Sequence, residues 1–174
     1  MGVVWDVHPQ KGLGPLEFGM TQAEVAKFED VMGPLEEMTE EALPDGEIAL
    51  NEFRATGAPM CSFQDGALRC LSVGKSDIID FRFQNVSIFN DDPKRVYSTL
   101  GRAAGAVYWS YNRVVMPSLD LELAGFVMEY SDKGKPPVFA SKRTGFTWPG
   151  LTLFEPGYGV FKKKDLIEIS NEAT

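Results

Sequence analysis

Apolar and polar residues alternate along most of this chain and recur at helical spacing in only two places. The first helical stretch starts at Thr21-Gln22-Ala23-Glu24. That order matches a capping box, in which the threonine hydroxyl and the glutamate carboxylate each satisfy a backbone amide at the helix start. Val25, Phe28 and Met32 follow on one helical face, and Gly33-Pro34 closes the segment. The second starts where Asn90, Asp91 and Asp92 precede Pro93, an acidic cap before a first-turn proline. Val96 and Leu100 make its apolar pair, and Gly101 and Gly105 weaken it, which predicts an end near residue 104.

Period-two alternation predicts strands over residues 47–54, 60–64, 67–73, 106–115, 119–123, 126–130, 137–141 and 151–154. In IIDFRFQ, residues 78–84, Ile79, Phe81 and Phe83 point one way and Asp80, Arg82 and Gln84 the other. Asp65-Gly66 is a two-residue hairpin signal. Closing the hairpin there sets Phe63 against Leu68 and Cys61 against Cys70, all four on one face. Gly74-Lys75-Ser76-Asp77 reads as a turn between strands, and the tail GVFKKKDLIEIS as a last strand or short helix. Alternation of this kind suits an antiparallel sheet with one solvated face.

The expected fold is therefore α+β: one domain over residues 1–174, an antiparallel sheet, helices on one face. Phe18, Thr21 and Val25 are echoed by Phe89, Asp92 and Val96 at a constant offset of 71, which suggests two pseudo-repeats of a helix followed by a β-meander, about 13–84 and 85–155. Between the first helix and its meander, residues 34–46 contain the turn signal Pro44-Asp45-Gly46 and are expected to be loop or a short extra helical turn.

Composition supports a folded domain, since 44% of residues are apolar and 24% charged in a chain of 174. The opening MGVVWDVHPQKG has neither the basic nor the apolar region of a signal peptide, and no run of eighteen apolar residues occurs, so a cytoplasmic protein is expected with no membrane partner. In that compartment Cys61 and Cys70 are expected to be small buried hydrophobes, although a cross-strand disulfide is sterically conceivable.

Charge changes the picture more. Residues 28–53 hold nine carboxylates and no lysine or arginine, giving −9 in a chain whose net charge is −8, so the remainder sums to +1. The densest part, Glu36 to Glu47, reads EEMTEEALPDGE. An acidic chain with a pI near 4.7 repels a phosphate backbone, and no nucleic-acid partner is expected. The run is either a solvated face or a patch whose counter-charges belong to another protein, where it would steer association with a basic surface.

Chemistry for catalysis is sparse. His8 is the one imidazole, set beside Pro9 near the start of the chain. Gly74-Lys75-Ser76 resembles the end of a phosphate-binding loop, but Arg69 stands where that loop needs glycine. Gly12-Leu13-Gly14 lacks the third glycine of a dinucleotide fingerprint, because Glu17 occupies its place. The acidic run has no EF-hand spacing. No cofactor, no metal and no catalytic residue is expected. Among the aromatics, Trp109 and Tyr111 sit on one face of the predicted strand 106–115, either as core or on display. Phe146, Trp148 and Phe154 thread a glycine- and proline-rich segment that either anchors a partner or is pinned to the sheet edge. The expected partner-binding set is Glu36, Glu37, Glu40, Glu41, Asp45, Glu47, Trp109 and Trp148.

The segment GLGPLEFGMTQAEVAKFEDVMGP, residues 12–34, resembles the opening of a loose group of small bacterial proteins with a glycine-rich lead, an F-G-M-T cap and a helix ending in Gly-Pro. Several members are similar to immunity proteins of polymorphic-toxin or type VI secretion systems. A comparable G-M-T-x-x-E-V opening also occurs in outer-membrane assembly lipoproteins and in secreted β-lactamase inhibitor repeats, both of them exported. The resemblance implies a non-catalytic inhibitor of a cognate toxin and carries over no functional residue. An adaptor or secretion chaperone for a basic client is the alternative, and an enzyme of unfamiliar type comes after that.

Overall fold

The computed structural model describes residues 2–55, 57–129, 137–140, 149–159, 161 and 163–169. Strand dominates it, at 44% of the described residues against 19% helix. In chain order the strands are β1 (Val3–His8), β2 (Gly12–Leu13), β3 (Leu16–Glu17), β4 (Glu37–Ala42), β5 (Ile48–Phe53), β6 (Met60–Gln64), β7 (Ala67–Gly74), β8 (Ile79–Phe83) and β9 (Val86–Ser87). They continue with β10 (Val107–Ser110), β11 (Arg113–Met116), β12 (Leu121–Ala124), β13 (Val127–Glu129), β14 (Val138–Phe139), β15 (Gly150–Phe154) and β16 (Ile167–Ile169). The helices are α1 (Gln22–Val25), which runs through a 3₁₀ turn into α2 (Glu29–Met32), and α3 (Pro93–Ala104).

Both helix starts form as the sequence predicts. The Thr21 hydroxyl accepts from the Glu24 amide while the Glu24 carboxylate accepts from the Thr21 amide at 2.8 Å. Asp92 caps α3 by accepting from the Lys94 amide at 2.8 Å, and Gly105 ends that helix in the left-handed region at φ 78°. Val25, Met32, Val96 and Leu100 are fully buried.

The α+β expectation holds in its broad form, with two sheets in place of one. The larger sheet has nine strands in the order β16-β10-β11-β12-β15-β7-β6-β5-β4, all antiparallel. Strands β4 to β7 run in chain order on one side and β10, β11, β12 and β15 on the other, the two runs meeting where β15 pairs β7, and β16 adds at the far edge beside β10. The second sheet, β3-β2-β1-β8-β9, joins β1 to β8 in parallel, and β13 with β14 forms a separate pair. One hydrophobic cluster runs through both sheets and α3, including Trp5, Phe81, Phe63, Tyr97, Leu123 and Leu151. Gly14 belongs to this packing, since a Cβ there would lie 2.5 Å from the Trp5 ring. The motif Gly12 to Pro34 thus serves hairpin closure, capping and core.

Two predicted registers change. The Asp65-Gly66 turn forms with both residues at positive φ, 51° and 75°, but a bulge between Ser62 and Phe63 leaves Arg69 without a register partner on β6. Cys61 then pairs Leu71 and Cys70 pairs Ser62, so the thiols lie on opposite faces instead of side by side. Both are free and buried. The single strand predicted over 106–115 is a hairpin, β10 and β11, turning at Tyr111-Asn112 with φ 46° and 65°.

Candidate protein-binding surface

The acidic segment is an edge strand, which corrects the loop expected over 34–46. β4 lies at one border of the nine-stranded sheet and pairs β5 over six positions, from Glu37 with Phe53 to Ala42 with Ile48. Pro44-Asp45-Gly46 does turn the chain: Leu43 donates to the Glu47 carbonyl at 2.8 Å, Gly46 donates to the Leu43 carbonyl at 2.9 Å, and Asp45 accepts from the Glu47 amide at 3.1 Å. Strand formation here owes little to local propensity, for glutamate is a poor strand former. It follows from the hydrogen-bond ladder offered by β5, whose Asn51 and Glu52 are buried.

Beyond that base the hairpin is an exposed arm. Glu36, Glu37, Glu40, Glu41, Asp45 and Glu47 are all exposed, so six of the eight expected partner-binding residues share one projection. Leu35, Met38 and Ile48 add large apolar side chains exposed by 44%, 52% and 57%. Directly paired residues share a sheet face, which puts Met38, Glu40 and Ala42 with Ile48, Leu50 and Glu52 on one side. Glu37, Thr39 and Glu41 take the other side with Phe53, Asn51 and Ala49.

Polar contacts fix the base of the arm. On the core side, Gln22 of α1 donates to Glu52 at 2.7 Å, and Arg54 bonds both Glu52 and the Gly33 carbonyl at 3.2 Å. On the outer side the Ser62 hydroxyl donates to Asn51, whose amide donates to Glu41 at 3.2 Å. Tyr158 packs near this side. Its hydroxyl is pushed above its usual value, first by burial and then by nearby negative groups that include Glu41 and Asp45.

Charge pairing decides how the arm is read. The five ion pairs among the described residues join Arg54 to Glu52, Arg69 to Glu155, Arg82 to Asp80, Arg95 to Asp91 and Arg113 to Glu122. Of the nine acids in residues 28–53, Glu52 is thus neutralised internally, which corrects the expectation that the whole run is unpaired. The six on the arm form no ion pair among the described residues.

The two tryptophans fare differently. Trp109 is 9% exposed and belongs to the hydrophobic cluster, on β10 in register with Val114 and Ile167, so it is withdrawn from the surface. Its strand ends at Ser110, and Tyr111, expected beside it on the same face, sits instead at the turn with 81% exposure. Trp148 and Phe146 lie outside the described residues, while half-buried Phe154 meets Phe161 edge to face at 5.7 Å. The sequence reading missed Leu35, Met38 and Ile48; β-pairing of the acidic run was the signal that would have brought them together.

Burial above all pushes both the Cys61 and the Cys70 thiol up to about 12, so neither forms a thiolate near neutrality. His8 is exposed at the end of β1. Among the described residues no group of three or more His, Cys, Asp or Glu could hold a metal ion, and no helix is long and apolar enough to cross a membrane. Two open depressions of about 460 and 540 Å³ flank Phe161 and Leu166 at the far end of the sheet. No family model, no curated protein and no solved structure matches this chain.

Proposed function

We propose that this is a non-catalytic binding protein that acts in the cytoplasm and inhibits a cognate toxin, with the acidic arm meeting a basic surface on that toxin. The observation that carries the reading is the set of six exposed carboxylates with no ion pair among the described residues. Unpaired like charges on one hairpin repel each other, a cost that a cationic partner removes. Bonds from partner arginines or lysines to these carboxylates would be charge-assisted, and the fit would block the toxin by occupation without turnover. Residues 12–34 resemble the opening of a loose group of small bacterial proteins, several of them similar to immunity proteins, which points the same way.

Co-expression tests the assignment. A toxin encoded beside this gene is expressed in cells with and without the protein; growth restored by the wild type, and lost again with Glu36, Glu37, Glu40 and Glu41 changed to Lys, is the expected result. Toxicity that the wild type leaves untouched rejects the inhibitor role. We also propose that the two helix-and-meander halves are copies of one unit, supported by the shared offset of 71 between their caps. An experimental structure in which Thr21 and Asp92, or Val25 and Val96, fail to superpose would remove that idea.

A further inference from the structure

We propose that β4 is a docking edge, and that the partner adds an extended basic segment to it as a further strand of the large sheet. This rests on the reading that the arm meets a basic protein, and it specifies how the two engage.

Backbone geometry supplies the first argument. In an antiparallel ladder, hydrogen-bonded and non-bonded positions alternate. The bond from Leu43 to Glu47 sets the phase, making Glu41, Thr39 and Glu37 the positions that bond to β5. The amides and carbonyls of Met38, Glu40 and Ala42 therefore point away from the sheet, repeating every two residues, about 6.8 Å apart. That spacing matches the repeat of an incoming strand.

Side chains supply the second argument. Exposed Met38 and Ile48 lie on one side of the edge, with Leu35 at its entrance. Glu37 and Glu41 lie on the other side, and Glu40 stands among the apolar group. An incoming strand that alternates apolar and cationic residues would meet both kinds of neighbour. Natural edges are guarded against unwanted pairing by charge. Here the guard has one sign. A second copy of this chain would set carboxylates against carboxylates, whereas a basic strand would place cations opposite them. Charge thus selects the occupant, and the β4 edge, unpaired among the described residues, supplies the mode.

The test separates ladder from charge. Met38→Pro with Ala42→Pro removes two outward amides and keeps every carboxylate, and prolines are tolerated on edge strands where the N–H faces solvent. The probe is a ten-residue peptide alternating Lys and Val, with affinity read by fluorescence anisotropy and backbone protection by amide hydrogen exchange. Expected are slowed exchange at Met38, Glu40 and Ala42 of the wild type on peptide addition and at least tenfold weaker binding by the proline variant. Equal binding by a folded proline variant overturns strand addition, as does unchanged exchange at those three amides or no binding of the peptide. Should the proline variant fail to fold, wild-type exchange alone decides. A loss of binding on reversing Glu36, Glu37, Glu40 and Glu41 to Lys, combined with unaltered exchange, removes the strand mode and leaves the acidic surface standing. Unchanged affinity after that reversal removes both. Wild-type dimers formed through β4, seen by sedimentation equilibrium, would overturn the basic occupant.

Discussion

Glu52 of β5 and Arg54, just past the end of that strand, form an ion pair with Oε2 3.2 Å from Nη2, both side chains 3% exposed. The pair sits at the border of the core, because Glu52 is in register with Cys61 and Cys61 with Leu71. Gln22 and the Gly33 carbonyl add further hydrogen bonds to the pair, and Arg54 Nε has no hydrogen-bond partner among the described residues. The arm is thereby tied to the end of α2.

Removing one member should be severe, since it strands the other charge out of water. Glu52→Ala is expected to cost about 3–5 kcal/mol, and the paired change Glu52→Leu with Arg54→Met much less. Urea denaturation of the two variants checks this, with the double variant the more stable one.

Acid should weaken the junction between β8 and α3. Burial alone would raise the Asp80 carboxyl, but bonds from the Ser87 hydroxyl, Arg82 and the Asn90 amide, with the Arg82 charge, outweigh burial and hold it below its ordinary 3.8. A depressed folded-state value stabilises the fold above the unfolded value, and that contribution is lost as pH falls through the folded one. Urea midpoints measured from pH 6 to pH 2 should decline less steeply below about pH 4 for Asp80→Asn than for the wild type.

Both cysteines should be silent in the folded protein. With the thiols pushed up to about 12 by burial, a thiol reagent at pH 8 is expected to label neither, and to label both in guanidinium. Raised values act in the opposite sense to Asp80, so their stabilising effect is complete below the unfolded thiol value of about 8.5 and fades as pH rises through the folded one. Rapid native labelling at either position would contradict their placement.

Edge protection predicts a change in assembly. With Glu37, Glu40 and Glu41 replaced by Gln, the arm keeps its hydrogen-bonding groups and loses its repulsion, and association between copies should rise in light scattering at low salt. The wild type should stay monodisperse under the same conditions.

Much of the fold was legible wherever a local interaction sets the outcome. The capping box at Thr21 and Glu24, the cap at Asp92, the turn at Asp65-Gly66 and the alternation of Ile79, Phe81 and Phe83 each depend on neighbours within a few residues. What escaped depends on distant chain. The parallel pairing of β1 with β8 joins residues 76 apart, as Val3 with Ile79, and nothing local marks it. Tyr111 and Asn112 turn at positive φ without a glycine, so Asn112 is the hairpin's one local turn signal and too weak to split the predicted strand. The bulge that parts Cys61 from Cys70 is invisible to a strict period of two. The acidic arm was legible as charge and illegible as strand, because its pairing with β5 overrides a composition that favours loop.

Salt dependence of association tests the central claim most directly: the arm's carboxylates find their cations on a partner. Stopped-flow association with the toxin identified by growth rescue, run from low to high salt, should slow by tenfold or more for the wild type. It should stay nearly flat when Glu36, Glu37, Glu40 and Glu41 are changed to Lys. Equal rates and equal salt slopes for the two proteins would contradict the account.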